Sequence, residues 1–122
     1  VSSVQFAPEA HGGECWVNFP HEQKRLLSLL KGQKALVLSG DRHWCEFSKN
    51  GVFDFTSSSM TQKHPRGTPT PNKHRVVPKT YHLPNVGLLN IDWAGQAITA
   101  KIFGEAPEVQ IELRVPFGDL VV

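Results

Sequence analysis

Three side chains able to do chemistry, Asp41, Arg42 and His43, follow one another directly behind the apolar run Ala35-Leu36-Val37-Leu38 and the break Ser39-Gly40. A carboxylate and an imidazole are oxygen and nitrogen donors for a metal ion, and a guanidinium can hold a phosphate through two parallel hydrogen bonds. Short apolar runs read as buried strands of α/β proteins, whose ligands bind in the crevice beyond the strands' carboxyl ends. Gly40 permits the abrupt backbone excursion that such a site needs. Each residue also has a plainer reading. His43 can hydrogen-bond its own loop, Asp41 can cap the turn, and Arg42 can bridge along the surface to Glu46.

The elements that must hold this turn are legible from pattern. Pro20 and Glu22 suit a helix start, Lys31 before Gly32 suits its end, and Leu26, Leu27, Leu29 and Leu30 form an apolar stripe between them. A helix of about three turns through residues 23–31 is expected to cover one face of a sheet. Strands are expected at 34–38, 44–48 and 52–56, the last two joined at Asn50-Gly51, a strong hairpin signal. Three further antiparallel strands are expected at 87–93, 96–103 and 108–115. In the last of them Val109, Ile111, Leu113 and Val115 alternate with polar residues, which predicts one buried face and one wet face.

With 122 residues, 39% of them hydrophobic and 20% charged, the chain holds one domain's worth of sequence or less, and it has no apolar stretch of membrane-spanning length. Neither disorder nor membrane insertion fits, and a nucleic acid is not an expected partner. Val1 stands first and no signal peptide follows, so the chain is expected to be a processed product or a fragment of something longer. Cys15 and Cys45 leave a single disulfide or two free thiols equally open. The long segment 61–85 carries five prolines (Pro65, Pro69, Pro71, Pro78, Pro84), five basic residues (Lys63, Arg66, Lys73, Arg75, Lys79), three histidines (His64, His74, His82) and no acidic residue. It reads as a functional lid or a solvated excursion whose positive charge draws anions.

Other chemistry-bearing residues are weighed more lightly. His43 and Cys45 alternate on a strand and suggest zinc, with Cys15 as a third donor, but the spacing lacks a paired-ligand motif and a buried structural thiol fits better. Thr56-Ser57-Ser58-Ser59 can line a pocket with hydroxyls or simply end a strand. Asp54, between Phe53 and Phe55, is expected to point to solvent. Trp16 is expected to pack, and the loop histidines, without carboxylates near them in sequence, are expected to be solvated.

In order and spacing the chain resembles the C-terminal part of the PhoD-like alkaline phosphatases, a branch of the calcineurin-like metallophosphoesterases. The resemblance runs from Trp16 onward. It is carried by Asn18-Phe19-Pro20, the helical stretch 22–30, Leu38-Ser39-Gly40-Asp41-Arg42-His43, Glu46, Asp54-Phe55-Thr56-Ser57-Ser58 and Gly87-Leu88-Leu89-Asn90-Ile91-Asp92. It implies an α/β fold, specifically part of a four-layer α-β-β-α sandwich, contributed here mostly as strands with one N-terminal helix. Residues 1–122 would then form a single partial domain with 61–85 as a long basic loop inside it.

The resemblance also implies hydrolysis of phosphate esters with divalent or trivalent metal ions (Fe, Zn, Ca or Mn). His43 would be a metal ligand, Asp41 a catalytic residue that ligates the metal, holds a bridging water or orients His43, and Arg42 a catalytic contact to the substrate phosphate. The expected partner is a small-molecule phosphate ester in an extracellular or periplasmic setting. The relatives' earlier metal ligands have no counterpart in residues 1–18. The chain is therefore expected to need further donors from an N-terminal portion or a partner chain, and to be inactive alone. The competing expectations are a non-catalytic β-rich module binding anions through 61–85, and an inactive remnant.

Overall fold

Pro20, whose fixed φ suits the first helical position, opens helix α1 (Pro20–Leu30), and Gly32 at φ 77° turns the chain away after it. Leu26, Leu27 and Leu30 pack on Phe6, Val37 and Val52, whereas Leu29 is 70% exposed. The apolar stripe is thus narrower than its leucine count predicts. The computed structural model describes residues 1–9, 13–64 and 71–122. Pro65, Arg66 and Pro69 of the basic segment lie outside the described residues.

The first sheet contains β1 (Leu36–Ser39), β2 (Glu46–Asn50) and β3 (Val52–Thr56) in the order β1-β3-β2. β1 runs parallel to β3 with Ser39 opposite Thr56, and β2 runs antiparallel to β3 around Gly51, at φ 75°. The expected strands appear, with β1 and β2 each starting two residues late (the expected starts were 34 and 44). Lys34 and Ala35 instead bond the chain end at Val121 and Leu120, and Cys45 bonds Tyr81. The second sheet is the expected antiparallel meander of β4 (Val86–Asp92), β5 (Ala97–Phe103) and β6 (Val109–Pro116), with a bulge at Ile102/Phe103.

Phe47, Phe53 and Phe55 from the first sheet and Ile98, Ala100, Ile102, Ile111 and Val115 from the second form the main core. A smaller core lies between the first sheet and α1. The result is a small mixed α/β unit, mostly strands in two sheets with one helix. Among the described residues no helix is long and apolar enough to cross a membrane.

Two expectations fail here for one reason. The sheet face that carries Asp54 does not meet water, because the N-terminal segment covers it: Gln5, Phe6 and Ala7 are fully buried, and Ser2 N–H donates to the Leu38 carbonyl of β1. Likewise the described parts of the basic segment around Arg75 and Tyr81 lie along the outer side of β2, through bridges from Cys45 to Tyr81 and from Ser48 to Arg75.

Candidate functional site

The turn that follows β1 departs from ordinary backbone at two non-glycine residues. Asp41 has φ 72° and His43 φ 58°, with Arg42 between them. Left-handed backbone costs an L-residue about 1–2 kcal/mol, least for short polar side chains that bond locally. Such strain persists only where the surroundings impose it, and it gathers at functional sites. Here the Ser58 hydroxyl accepts the His43 N–H at 3.3 Å and Arg42 N–H donates to the Gly40 carbonyl at 3.0 Å. Asp41 and His43 are exposed.

Arg42 does not reach Glu46 as the surface-bridge reading required. Its guanidinium carbon sits 4.6 Å over the Trp44 ring, against Gly13, where any side chain would collide with Nη1. A guanidinium on an indole face gains cation–π attraction and loses rotamer freedom. Arg42 Nε is buried without a hydrogen-bond partner among the described residues.

Beneath the turn lies a hydrogen-bonded chain with a defined direction. Ser39 Oγ is 2.6 Å from Asp54 Oδ1, and a carboxylate only accepts, so the Ser39 proton points there. Ser39 must then accept from Thr56 Oγ1 at 2.9 Å, and Thr56 accepts from Gln5 Nε2 at 2.9 Å. The other Asp54 oxygen takes the N–H groups of Phe6 and Ala7 at 2.7 and 2.9 Å. Burial pushes the Asp54 pKa up, against the pull of these donors. The residue that ends β1 and begins the turn is therefore tied through Asp54 to the N-terminal segment.

Glu46, fully buried, is the counterpart on β2. It accepts from Gln5 Nε2 at 2.8 Å and Trp44 Nε1 at 3.3 Å, and from Asn72 at 3.1 Å and Arg75 Nε at 2.8 Å. Lys73 and His74 meet Glu9 at 2.6 and 3.2 Å, an arrangement that lowers the Glu9 pKa to about 2. Lys73, His74 and Arg75 of the acid-free basic segment thus meet acids from elsewhere in the chain.

The loop histidines are not solvated. His64 meets the Trp44 ring edge-on at 4.9 Å and His82 stacks on it at 5.7 Å. His82 is 8% exposed, and burial followed by the nearby His64 lowers its pKa. Sequence reasoning missed Gln5, the buried role of Glu46 and the histidines on Trp44, since Gln5, Asn72, Arg75, His64 and His82 all stand far in the chain from the residues they meet.

The remaining expectations resolve simply. Both cysteines are free and buried, and burial pushes the Cys45 thiol up to about 12. Thr56 is buried in the chain under the turn, Ser57 donates to Asn85 at 3.1 Å, and Ser59 bonds the Gln62 carbonyl. Trp16 packs on Phe6 at 5.3 Å. Among the described residues no three His, Cys, Asp or Glu side chains come together as a metal-ion group. No protein-family model, curated protein or solved structure matches the chain.

Proposed function

We propose that this chain supplies one corner of a metal-dependent phosphoric-ester hydrolase centre of the PhoD-like, calcineurin-like kind, within the C-terminal part of a four-layer α-β-β-α sandwich. The observation that carries the reading is the turn. Asp41 and His43, exposed and in left-handed backbone, project from the carboxyl ends of the parallel pair β1 and β3, with the half-buried Arg42 between them packed on Trp44. One imidazole and one carboxylate are chemically right for Fe, Zn or Mn and too few for a binuclear cluster, so the other donors come from outside these residues. A bound cation would supply polarisation of a phosphoryl oxygen and a water of lowered pKa.

The chain's own residues then divide the work. His43 donates a ring nitrogen, and Asp41 either donates an oxygen or orients that ring. Arg42 holds the ester's non-bridging oxygens through its planar fork. The anion-binding-module alternative is weakened because Lys73, His74 and Arg75 are already engaged by Glu9 and Glu46. The test is hydrolysis of an aryl phosphate by the intact parent protein with added metals, with and without His43→Ala. Loss of an outer-shell partner costs about 10–100-fold, so loss of a direct ligand should reach or pass the upper end of that range. Wild-type activity and metal content in the variant would remove His43 from the site.

A further inference from the structure

Thr56-Ser57-Ser58-Ser59 presents a row of hydroxyls where β3 ends, and all but one are engaged with other partners. Thr56 lies in the buried chain with Ser39 and Gln5, Ser57 donates to Asn85, and Ser59 bonds the Gln62 carbonyl. Ser58 differs. Its Oγ accepts the backbone N–H of His43 at 3.3 Å and stands 3.9 Å from where a Cβ on Gly40 would lie. The hydroxyl is therefore placed over the interior of the turn, from 15 residues further along the chain.

The ends of the turn are fixed separately. Ser57 N–H donates to the Ser39 carbonyl at 3.3 Å, and Cys45 exchanges two backbone bonds with Tyr81 at 2.8 and 3.2 Å. The Ser58 N–H faces the Cys45 thiol, where it opposes the effect of burial. Inside the turn, Arg42 N–H is satisfied by the Gly40 carbonyl at 3.0 Å. The bond that enters from another element and ends on His43 itself is the one to Ser58. A residue with a Cβ adopts left-handed backbone at a cost and stays there only where its surroundings require it. His43, at φ 58°, is exposed, so packing of its side chain does not supply that requirement; the Ser58 acceptor does.

We propose that Ser58 is a positioning residue for His43: by accepting the His43 N–H it holds the left-handed turn that offers the imidazole to the metal ion. The inference rests on the hydrolase reading of His43. Removing a hydrogen-bonded partner that orients a metal ligand costs about 10–100-fold in metal affinity or activity. Ser58 grips the backbone of His43 rather than its ring, so the loss belongs at the lower end, about tenfold.

The experiment compares Ser58→Ala and Ser58→Thr in the intact protein, with Ser59→Ala as a neighbouring serine that does not touch the turn. Amide exchange at His43 is read first, without metal. It should run about tenfold faster in Ser58→Ala and at the wild-type rate in Ser58→Thr and Ser59→Ala. Binding of Mn²⁺ alone, followed by electron paramagnetic resonance of the free ion, should weaken about tenfold in Ser58→Ala and recover in Ser58→Thr. Should Ser58→Ala fold poorly, Ser58→Val against Ser58→Thr repeats the comparison at constant side-chain shape. Unchanged exchange at His43 in Ser58→Ala overturns the inference whatever the metal does. A Ser58→Thr protein as impaired as Ser58→Ala overturns it too, because the effect is then one of shape. Unchanged Mn²⁺ affinity in Ser58→Ala beside a loss in His43→Ala overturns it and leaves the hydrolase reading standing. Unchanged affinity in both variants removes the reading and the inference together.

Discussion

Asp54 is the residue whose loss reads out the architecture under the turn. Its two oxygens hold the Phe6 and Ala7 N–H groups and the Ser39 hydroxyl, all in a region closed to water. Asp54→Ala strands these buried donors at about 1–3 kcal/mol each, while removing a buried charge returns part of that cost. The net loss should be about 3–5 kcal/mol, a large share of the 5–15 kcal/mol that a domain of this size commands. Asp54→Asn should cost less, about 1–2 kcal/mol, because its carbonyl still accepts both backbone N–H groups. Its amide, however, donates toward Ser39 and reverses the direction of the Ser39–Thr56 chain.

Urea unfolding followed by tryptophan fluorescence measures both variants. The pH dependence gives a second readout. Burial raises the Asp54 pKa, so the folded state binds this proton more readily than the unfolded state does. Its contribution is fully present below the ordinary carboxylate range and is lost as pH climbs from there to the raised value. The Asn variant should lack that decline. An Asp54→Ala protein within about 0.5 kcal/mol of wild type would refute the reasoning, since no buried donor could then have been left unpaired.

Glu9 titrates in the opposite sense: Lys73 and then His74 hold it near 2, so its contribution is present above its ordinary 4.5 and disappears as pH falls between the two. Because Glu9 is partly exposed, Glu9→Gln should remove only about 0.2–1 kcal/mol at neutral pH, read as a flattened acid limb in stability-versus-pH curves. Cys45, pushed up to about 12, should resist a thiol reagent at pH 8 in the native protein and react at once in denaturant. Gly51 combines φ 75° with a Cβ position 2.9 Å from Leu27 Cδ2, so Gly51→Ala should destabilise by about 1–2 kcal/mol by calorimetry, through both backbone and helix packing.

The local signals served the strands and helix well. Asn50-Gly51 marked a hairpin that formed, Pro20 marked a helix start, and the alternation of Ile111, Leu113 and Val115 marked a strand with one covered face. Each depends on residues within a few positions of one another, where backbone preference and side-chain period act directly. Asp54 broke the pattern for the opposite reason. Alternation correctly placed it on the face away from Phe53 and Phe55, but what covers that face is a segment 47–48 residues earlier in the chain.

The same division applies to the candidate site. That Asp41, Arg42 and His43 sit together behind a strand's carboxyl end follows from their order in the chain, because a strand and a glycine turn leave three adjacent residues little room to separate. The tertiary structure alone decided which of them are free to act. Packing set Arg42 on Trp44, left Asp41 and His43 exposed in left-handed backbone, and brought Glu46 to Arg75 and Glu9 to Lys73 in a segment that holds no acid of its own. Burial and long-range pairing are properties of what the fold brings near, and adjacency in sequence carries no record of them.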